Sequence, residues 1–103
     1  MMKLSIVIPV YNVEPFIRGT LDSIYKQGVD ESLFEVIVVN DGTPDNSMAI
    51  VEMFADAHTN LAIINQKNQG LSAARNSGIK VAKGDYIWAV SYTHLTLPTT
   101  PYV

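Results

Sequence analysis

Two kinds of apolar pattern alternate along most of the chain, and this alternation constrains the fold more than any other feature. Short continuous β-rich runs at 4–10, 35–39, 61–64 and 86–90 are typical of strands buried on both faces. Between them the apolar residues recur every three or four positions, which is typical of a helix with one buried face. Strands and helices that alternate with short connections predict parallel strands joined by crossover helices. The sequence therefore predicts an α/β fold with a Rossmann-like open parallel sheet, in the order βαβαβαβ.

The same pattern predicts where the helices begin and end. The first predicted helix starts its apolar stripe at Val13 and is closed by Gly28. The second begins at Pro44, a position that tolerates the missing N–H, with Thr43 as its N-cap. The third spans 71–83, and small residues on its inner face would let it lie close to the sheet. Its predicted inner-face residues are Leu71, Ala74, Gly78 and Val81.

Charge, cysteine content and the length of apolar runs exclude several classes of protein. The 103 residues carry a net charge of −3 without a Lys/Arg cluster, which argues against a nucleic-acid or anionic-membrane surface. The absence of cysteine excludes disulfides and thiolate metal sites and suits a reducing cytoplasm. The apolar runs are far shorter than the ~20 residues that span a bilayer. We expect a cytoplasmic domain with no nucleic-acid partner and no membrane segment in this portion.

Polar residues follow each predicted strand, and in a parallel sheet these positions meet at one edge, where such sheets bind ligands. There an aromatic ring offers a stacking face for a base, a carboxylate can accept the N–H of a uracil, and a cation can balance phosphate charge. This set suits a nucleotide diphosphate, although polar residues at strand ends are also what any loop contains. The residues concerned are Tyr11, Asn12, Glu14, Asp41, Thr43, Asp45, Lys67, Asn68 and Arg75.

Three common phosphate-handling sites do not fit. The segment "PVYNVEPFIRG" lacks the G-x-G-x-x-G that a dinucleotide-binding domain places after its first strand, and a Walker A loop is also absent. A phosphorylated receiver-type module would need an acidic cluster after the first strand and an aspartate after the third. This chain has Tyr11-Asn12 and Asn65-Gln66 at those places.

Four segments resemble a known family in their order and spacing. "SIVIPVYNVEPFIRGTLDSI", "EVIVVNDGTPDNS", "NQGLSAARNSGI" and "AKGDYIWAV" are similar to the opening motifs of the family-2 glycosyltransferases, and the likeness covers roughly residues 2–90. The resemblance implies a GT-A fold and sugar transfer, with inversion, from a nucleotide-diphosphate donor of UDP type to an acceptor. It implies that Pro9 and Tyr11 line the base pocket, that Asp41 accepts the base N–H, and that Arg75 places base and diphosphate. Glu14 would brace the pocket or meet the ribose.

Each of these residues also has a purely structural interpretation. Tyr11 would only cover the following helix, Asp41 would be the first residue of an Asp-Gly turn, and Arg75 would be a solvated helix residue. Asp45 could be a charge in the first helical turn. We assign no chemistry to His58, which has no evident partner in the sequence, and none to His94. A non-catalytic Rossmann-like binding or interaction module is the alternative function.

The resemblance also predicts a divalent cation, but its ligands are absent. In the family, the strand corresponding to "YIWAV" leads into an Asp-x-Asp type motif that coordinates Mg²⁺ or Mn²⁺. Here no carboxylate follows Asp85, and the catalytic base that the family places later is also absent. The segment "VSYTHLTLPTT" resembles a translated sequencing-library adapter. We therefore expect residues 1–90 to be a partial, inactive donor-binding domain, with no catalytic or metal-binding residue, and 91–103 to be a non-native disordered tail.

Overall fold

The computed structural model describes residues 3–90, and the predicted tail at 91–103 lies outside the described residues. Strands and helices alternate as the sequence predicts. The elements are β1 (Leu4–Val10), α1 (Glu14–Tyr25), a short 3₁₀ helix (Glu31–Leu33), β2 (Phe34–Asn40), α2 (Ser47–Ala57), β3 (Leu61–Asn65), α3 (Leu71–Val81) and β4 (Tyr86–Ala89). The 3₁₀ helix was not predicted, because one short turn leaves no periodic signal in the sequence.

The described strands form one sheet in the order β3-β2-β1-β4, and every neighbouring pair is parallel. This confirms the predicted open α/β sheet. The register pairs Val10 with Asn40 and Asn40 with Asn65, so β1, β2 and β3 all end in the same row. β4 ends lower, with Ala89 beside Val7. Three βα connections therefore start side by side at one edge of the sheet, which is the arrangement that the sequence analysis required of a ligand site.

Helices cover both faces of this sheet. On one face α1 and α2 pack against β1 and β2, around a core that includes Ile8, Ile17, Leu21, Val38 and Val51, all fully buried. On the other face α3 packs against Val7, Ile37 and Val39. Because both faces are covered, most strand residues are apolar rather than alternating with polar ones, which explains the continuous hydrophobic runs.

The third helix meets the sheet through small residues, as predicted, but with a narrower face. Ala74 and Gly78 are buried, whereas Leu71 and Val81 remain half exposed. A Cβ placed on Gly78 would overlap Cγ1 of Val7 and lie 3.3 Å from Cγ2 of Val39. The absence of a side chain at Gly78 therefore allows α3 to sit directly on β1 and β2.

The predicted start of α2 is wrong by several residues. Thr43 and Pro44 lie in the preceding loop, and the helix begins at Ser47 after Asn46. The Thr43 hydroxyl is not free to cap a helix there, because it accepts the Asn12 N–H and donates to Asp45. The Asp45 carboxylate instead accepts the N–H of Ser47 at 3.1 Å. A local capping signature was present in the sequence, but a contact with a distant loop overrides it.

His58 has partners that the sequence does not reveal. Its ring stacks on Tyr25 with centroids 3.7 Å apart, and its Nδ1 lies 2.8 Å from the Glu31 carboxylate. The Tyr25 hydroxyl donates to Asn60 at 2.8 Å. These contacts tie the ends of α1 and α2 together near the starts of β2 and β3, at the end of the sheet opposite the βα loops.

Among the helices that the structure describes, none combines the length and the apolar character that a membrane crossing requires.

Candidate functional site

Three loops leave the common row of strand ends. We call residues 11–13 the first loop, residues 41–46 the second loop and residues 66–70 the third loop. Asn40 and Asn65, the last residues of β2 and β3, also bond to each other, with Nδ2 of Asn40 3.0 Å from Oδ1 of Asn65. The loops thus start from positions that the sheet register and a side-chain hydrogen bond both fix.

Hydrogen bonds join the first loop to the second. The N–H of Asn12 donates to the Thr43 hydroxyl at 2.9 Å, and this hydroxyl donates to Oδ1 of Asp45 at 2.6 Å. Asn12 has a φ of 57°, a left-handed conformation that is uncommon outside glycine and that asparagine tolerates better than most residues. The contact with the second loop therefore holds the first loop in a shape that it would not favour by itself.

Glu14 and Asp45 exchange hydrogen bonds between the start of α1 and the loop that precedes α2. The N–H of Glu14, the first residue of α1, donates to Oδ2 of Asp45 at 3.1 Å. In return, Oε1 of Glu14 accepts the N–H of Asn46, which precedes α2, at 3.0 Å. Both carboxylates thus satisfy N–H groups that a helix start leaves free and lie near the positive ends of the two helix dipoles. Glu14 thereby joins the start of α1 to the second loop, and its predicted place at the base pocket stays a prediction.

The Asp45 carboxylate is strongly favoured in its charged form. Burial alone would raise its pKa, but hydrogen bonds from the Thr43 hydroxyl, from Ser47 and from the Glu14 N–H outweigh burial and lower the pKa to about 2. The residue is only partly exposed and its oxygens are occupied by these donors. The charged Asp45 side chain therefore holds the first and second loops together. It does more than the sequence suggested, which was only a charge in the first turn of a helix.

Asp41 is fully buried and holds the third loop in place. Its side chain is 0% exposed. Oδ1 accepts from Nε2 of Gln66 and from the N–H of Gln69, both at 2.9 Å. Oδ2 accepts the N–H of Gly70 at 2.9 Å and Nδ2 of Asn68 at 3.3 Å. The two oxygens thus receive two donors each, which fills the roughly four acceptor positions of a carboxylate.

These bonds keep Asp41 ionised in spite of its burial. Burial would raise its pKa, but the Gln66 side chain and the N–H groups of Gln69 and Gly70 lower it below the ordinary aspartate value. A base N–H can reach the carboxylate only after one present donor has moved away. The Asn68 amide makes the longest of the four bonds, and its Nδ2 also donates to the backbone carbonyl of Asp41 at 3.1 Å. The predicted contact between Asp41 and a base stays a prediction.

The second and third loops also touch through their backbones. Gly42 has a φ of +72°, and a Cβ added there would lie 3.0 Å from the backbone nitrogen of Asn68. Only glycine combines this left-handed conformation with so close an approach. Together with the bonds of Asp41, this contact makes the two loops one packed unit.

The remaining predicted site residues differ in exposure. Tyr11 follows β1 directly and is 38% exposed. Pro9 is buried within β1, where pairing with β2 continues past it to Val10, and pairing with β4 ends at Val7. Arg75 is exposed on α3 and makes no hydrogen bond or ion pair within residues 3–90.

No group of three or more acidic, histidine or cysteine side chains within residues 3–90 is arranged to hold a metal ion. The carboxylates that follow β1 and β2, those of Glu14, Asp41 and Asp45, all accept hydrogen bonds. The described residues therefore do not fit the hard oxygen site that Mg²⁺ or Mn²⁺ requires.

A sequence model described as Glycosyl transferase family 2 matches residues 5–90. The chain belongs to glycosyl transferase family 2. This confirms the family that the four sequence motifs indicated. A curated relative, the uncharacterized glycosyltransferase EpsJ of Bacillus subtilis (strain 168), is 50% identical over 84 residues, which cover 82% of this chain and 24% of EpsJ.

Solved structures agree with this assignment. The S. aureus protein TarS, residues 1–349 in complex with UDP-GlcNAc, has a TM-score of 0.81 and 35% identity, with 86% of this chain and 26% of that chain covered. The mannosyltransferase PcManGT from Pyrobaculum calidifontis, in complex with GDP-Man and Mn²⁺, has a TM-score of 0.72 and 27% identity, with 84% and 27% covered. The chain thus spans about a quarter of the length of these relatives.

Two residues of the site were missed by sequence reasoning. Gln66 binds Asp41 through its amide, and Ser77 on α3 binds Gln66. Nothing in the sequence distinguishes Gln66 from other polar loop residues, or Ser77 from a solvated helical serine. Their roles depend on how the third loop and α3 meet the second loop, which neither spacing nor periodicity reports.

Proposed function

We propose that residues 1–90 form the donor-binding part of a glycosyltransferase that moves a sugar from a nucleotide diphosphate to an acceptor, with inversion. The observation that carries the proposal is the row of aligned strand ends, from which the first, second and third loops are joined into one unit. Family membership supports the reaction class. The solved relatives support the donor class, since TarS was solved with UDP-GlcNAc and PcManGT with GDP-Man.

Within this site the exposed groups suit the two ends of a nucleotide. The half-exposed Tyr11 ring offers a stacking surface for the base, and Arg75, which has no partner within residues 3–90, has its charge available for the diphosphate. Pro9 would form the buried floor beside Tyr11. Asp41 would accept the base N–H, with a donor of the third loop displaced. Glu14 would brace the pocket, a role that its bond to the N–H of Asn46 supports.

Both uracil and guanine present an N–H next to a carbonyl, and an ionised carboxylate can accept it. We propose a donor of UDP type, which the complex of TarS with UDP-GlcNAc supports. A divalent cation is plausible for the family, as the Mn²⁺ complex of PcManGT indicates, but the described residues do not offer its ligands and we derive no step through it. The cytoplasmic location stays a prediction.

Binding of UDP to the chain tests the proposed site directly. Tyr11→Ala should weaken UDP binding about tenfold, because stacking on an aromatic ring contributes about 1–3 kcal/mol per base. Arg75→Gln should weaken it by a similar factor, since a hydrogen bond to a charged group contributes about 1.5–3 kcal/mol. Isothermal titration calorimetry gives the dissociation constants.

Matched controls come from the same chain. Tyr86, 45% exposed, starts β4 at the opposite end of the sheet, and Lys80 is an exposed cation further along α3. Tyr86→Ala and Lys80→Gln should bind UDP like the parent chain. If all four variants bind equally, the site lies elsewhere. A parent chain that binds neither UDP nor GDP would favour the non-catalytic module.

A further inference from the structure

We propose that Ser77 and Gln66 are positioning residues that hold the Asp41 carboxylate in the orientation needed to accept a base N–H. The part of this inference that concerns donor binding rests on the proposed function. The hydrogen bonds that orient Asp41 are contacts within the chain and do not depend on it. The Ser77 hydroxyl lies 2.6 Å from Oε1 of Gln66, and Nε2 of Gln66 lies 2.9 Å from Oδ1 of Asp41. The three side chains thus form a continuous hydrogen-bonded relay from α3 to the second loop.

The direction of this relay follows from the chemistry of its ends. An ionised carboxylate only accepts hydrogen bonds, so the amide of Gln66 must direct its NH₂ group toward Asp41. The amide oxygen then points away and needs a donor. Ser77 supplies it, and although Oγ of Ser77 also lies 3.1 Å from the carbonyl oxygen of Ala73, its single proton serves the shorter contact. A hydrogen-bond donor at position 77 therefore fixes the orientation of the Gln66 amide, with its NH₂ group toward Asp41 and its oxygen toward Ser77.

Gln66 differs from the other three donors to Asp41. Asn68, Gln69 and Gly70 all belong to the short segment that ends at the start of α3, so one movement of that segment affects all of them. The Gln66 side chain is instead tied to the second turn of α3, on a helix held against the sheet by Ala74 and Gly78. When a base displaces the Asn68 amide, the Gln66 bond would keep Oδ1 in place and leave Oδ2 for the base.

The groups that contact the Asp41 side chain are uncharged. The charged residues on the surrounding elements are Glu35 on β2, Asp45 in the second loop, Lys67 in the third loop, and Arg75 and Lys80 on α3, and none of them bonds to Asp41. The ionisation of Asp41 thus depends on neutral donors, and the loss of one donor should raise its pKa.

The test combines a titration of Asp41 with the selectivity of nucleotide binding in the full chain. Ser77→Ala removes the anchor and Gln66→Met removes both bonds with little change of volume. In both variants the Asp41 pKa, followed by NMR of its carboxyl carbon, should be higher than in the parent chain. The ratio of UDP to CDP affinity should fall about two- to tenfold, as the loss of one net hydrogen bond implies. Cytosine presents an acceptor where uracil presents an N–H, so CDP binding should change little.

Two controls separate positioning from general damage. Ser77→Thr keeps the hydroxyl and should retain the parent titration and selectivity. Ser23→Ala removes a helical serine hydroxyl on α1 that makes no hydrogen bond within residues 3–90 and should do the same. Circular dichroism confirms that each variant is folded.

The outcomes are distinguishable. An Asp41 titration in Ser77→Ala and Gln66→Met that coincides with the parent's overturns the relay. Equal losses of UDP and CDP affinity overturn the positioning role and leave a structural one. If the parent chain binds no nucleotide, the proposed function fails, and the Asp41 titration still decides whether the relay exists.

Discussion

At the scale of single residues, two aspartates of one loop serve different parts of the structure. Asp45 joins the second loop to the first and caps α1, whereas Asp41 organises the third loop. Both have lowered pKa values because hydrogen-bond donors outweigh the effect of burial. The packing of all three loops therefore depends on two ionised carboxylates, which makes it sensitive to acid.

This dependence predicts how stability changes at low pH. The Asp45 pKa is about 2 in the folded chain against a model-peptide value of 3.8, so its stabilising contribution is complete above about pH 4 and is lost as the pH falls through 2. Asp41 acts in the same direction. Asp45→Asn should lower the free energy of unfolding at neutral pH by about 1–3 kcal/mol and flatten the acid limb of the stability profile.

Urea denaturation between pH 2 and 7 measures this profile. Asp56→Asn, at an exposed aspartate on α2 without a hydrogen bond in the described part of the chain, is the control for removing one carboxylate. A profile of Asp45→Asn parallel to that of the parent over the whole range would contradict the prediction.

Sequence reasoning was informative about which residues reach the site and much less so about what they contact. The strand ends placed Tyr11, Glu14 and Asp41 at one edge, because in a parallel sheet every βα loop leaves on the same side. The saturation of Asp41 could not be predicted, since its four donors come from residues at least 25 positions away. The capping of α1 by Asp45 was missed for the same reason.

At the scale of elements, the packing of α3 against the sheet depends on the absence of a side chain at Gly78. Periodicity predicted the helix and its small inner residues, but the predicted face was too wide, because Leu71 and Val81 are half exposed. The close contact of Gly78 with Val7 and Val39 is set by the distance between helix and sheet, which a sequence pattern does not contain.

Two glycines in helices should therefore respond in opposite ways to alanine. Gly78→Ala places a methyl group against Val7 and Val39 and should lower the free energy of unfolding by about 1–3 kcal/mol through overpacking. Gly19→Ala, in α1, has no atom within 4 Å of the added carbon and should raise it by about 0.5–1 kcal/mol through helix propensity. Urea denaturation of both variants measures whether each free energy of unfolding rises or falls. A Gly78→Ala variant more stable than the parent would show that α3 can move away from the sheet.

At the scale of the whole molecule, the chain covers about a quarter of the length of the family relatives it matches. The first, second and third loops are interlocked, but no carboxylate follows Asp85 in the sequence. The chemistry expected of the family needs acidic groups beyond this point, both for a cation and for a catalytic base.

A polypeptide with this sequence should consequently show no sugar transfer. Incubation with UDP-GlcNAc and Mn²⁺ or Mg²⁺, followed by mass spectrometry of acceptor mixtures, should give no product above a heat-inactivated sample. Turnover above that background would show that the residues present suffice for catalysis. UDP binding by the same preparation would establish that the polypeptide is folded and that the missing step is chemical.

If the proposed donor site is correct, the interlocking of the second and third loops around Asp41 and Gly42 limits how its nucleotide preference can be re-engineered. A graft of residues 66–70 from a relative would place foreign amides around an unchanged carboxylate, and a graft of 41–46 would do the converse. Chimeras should therefore exchange both stretches, together with position 77, as one cassette.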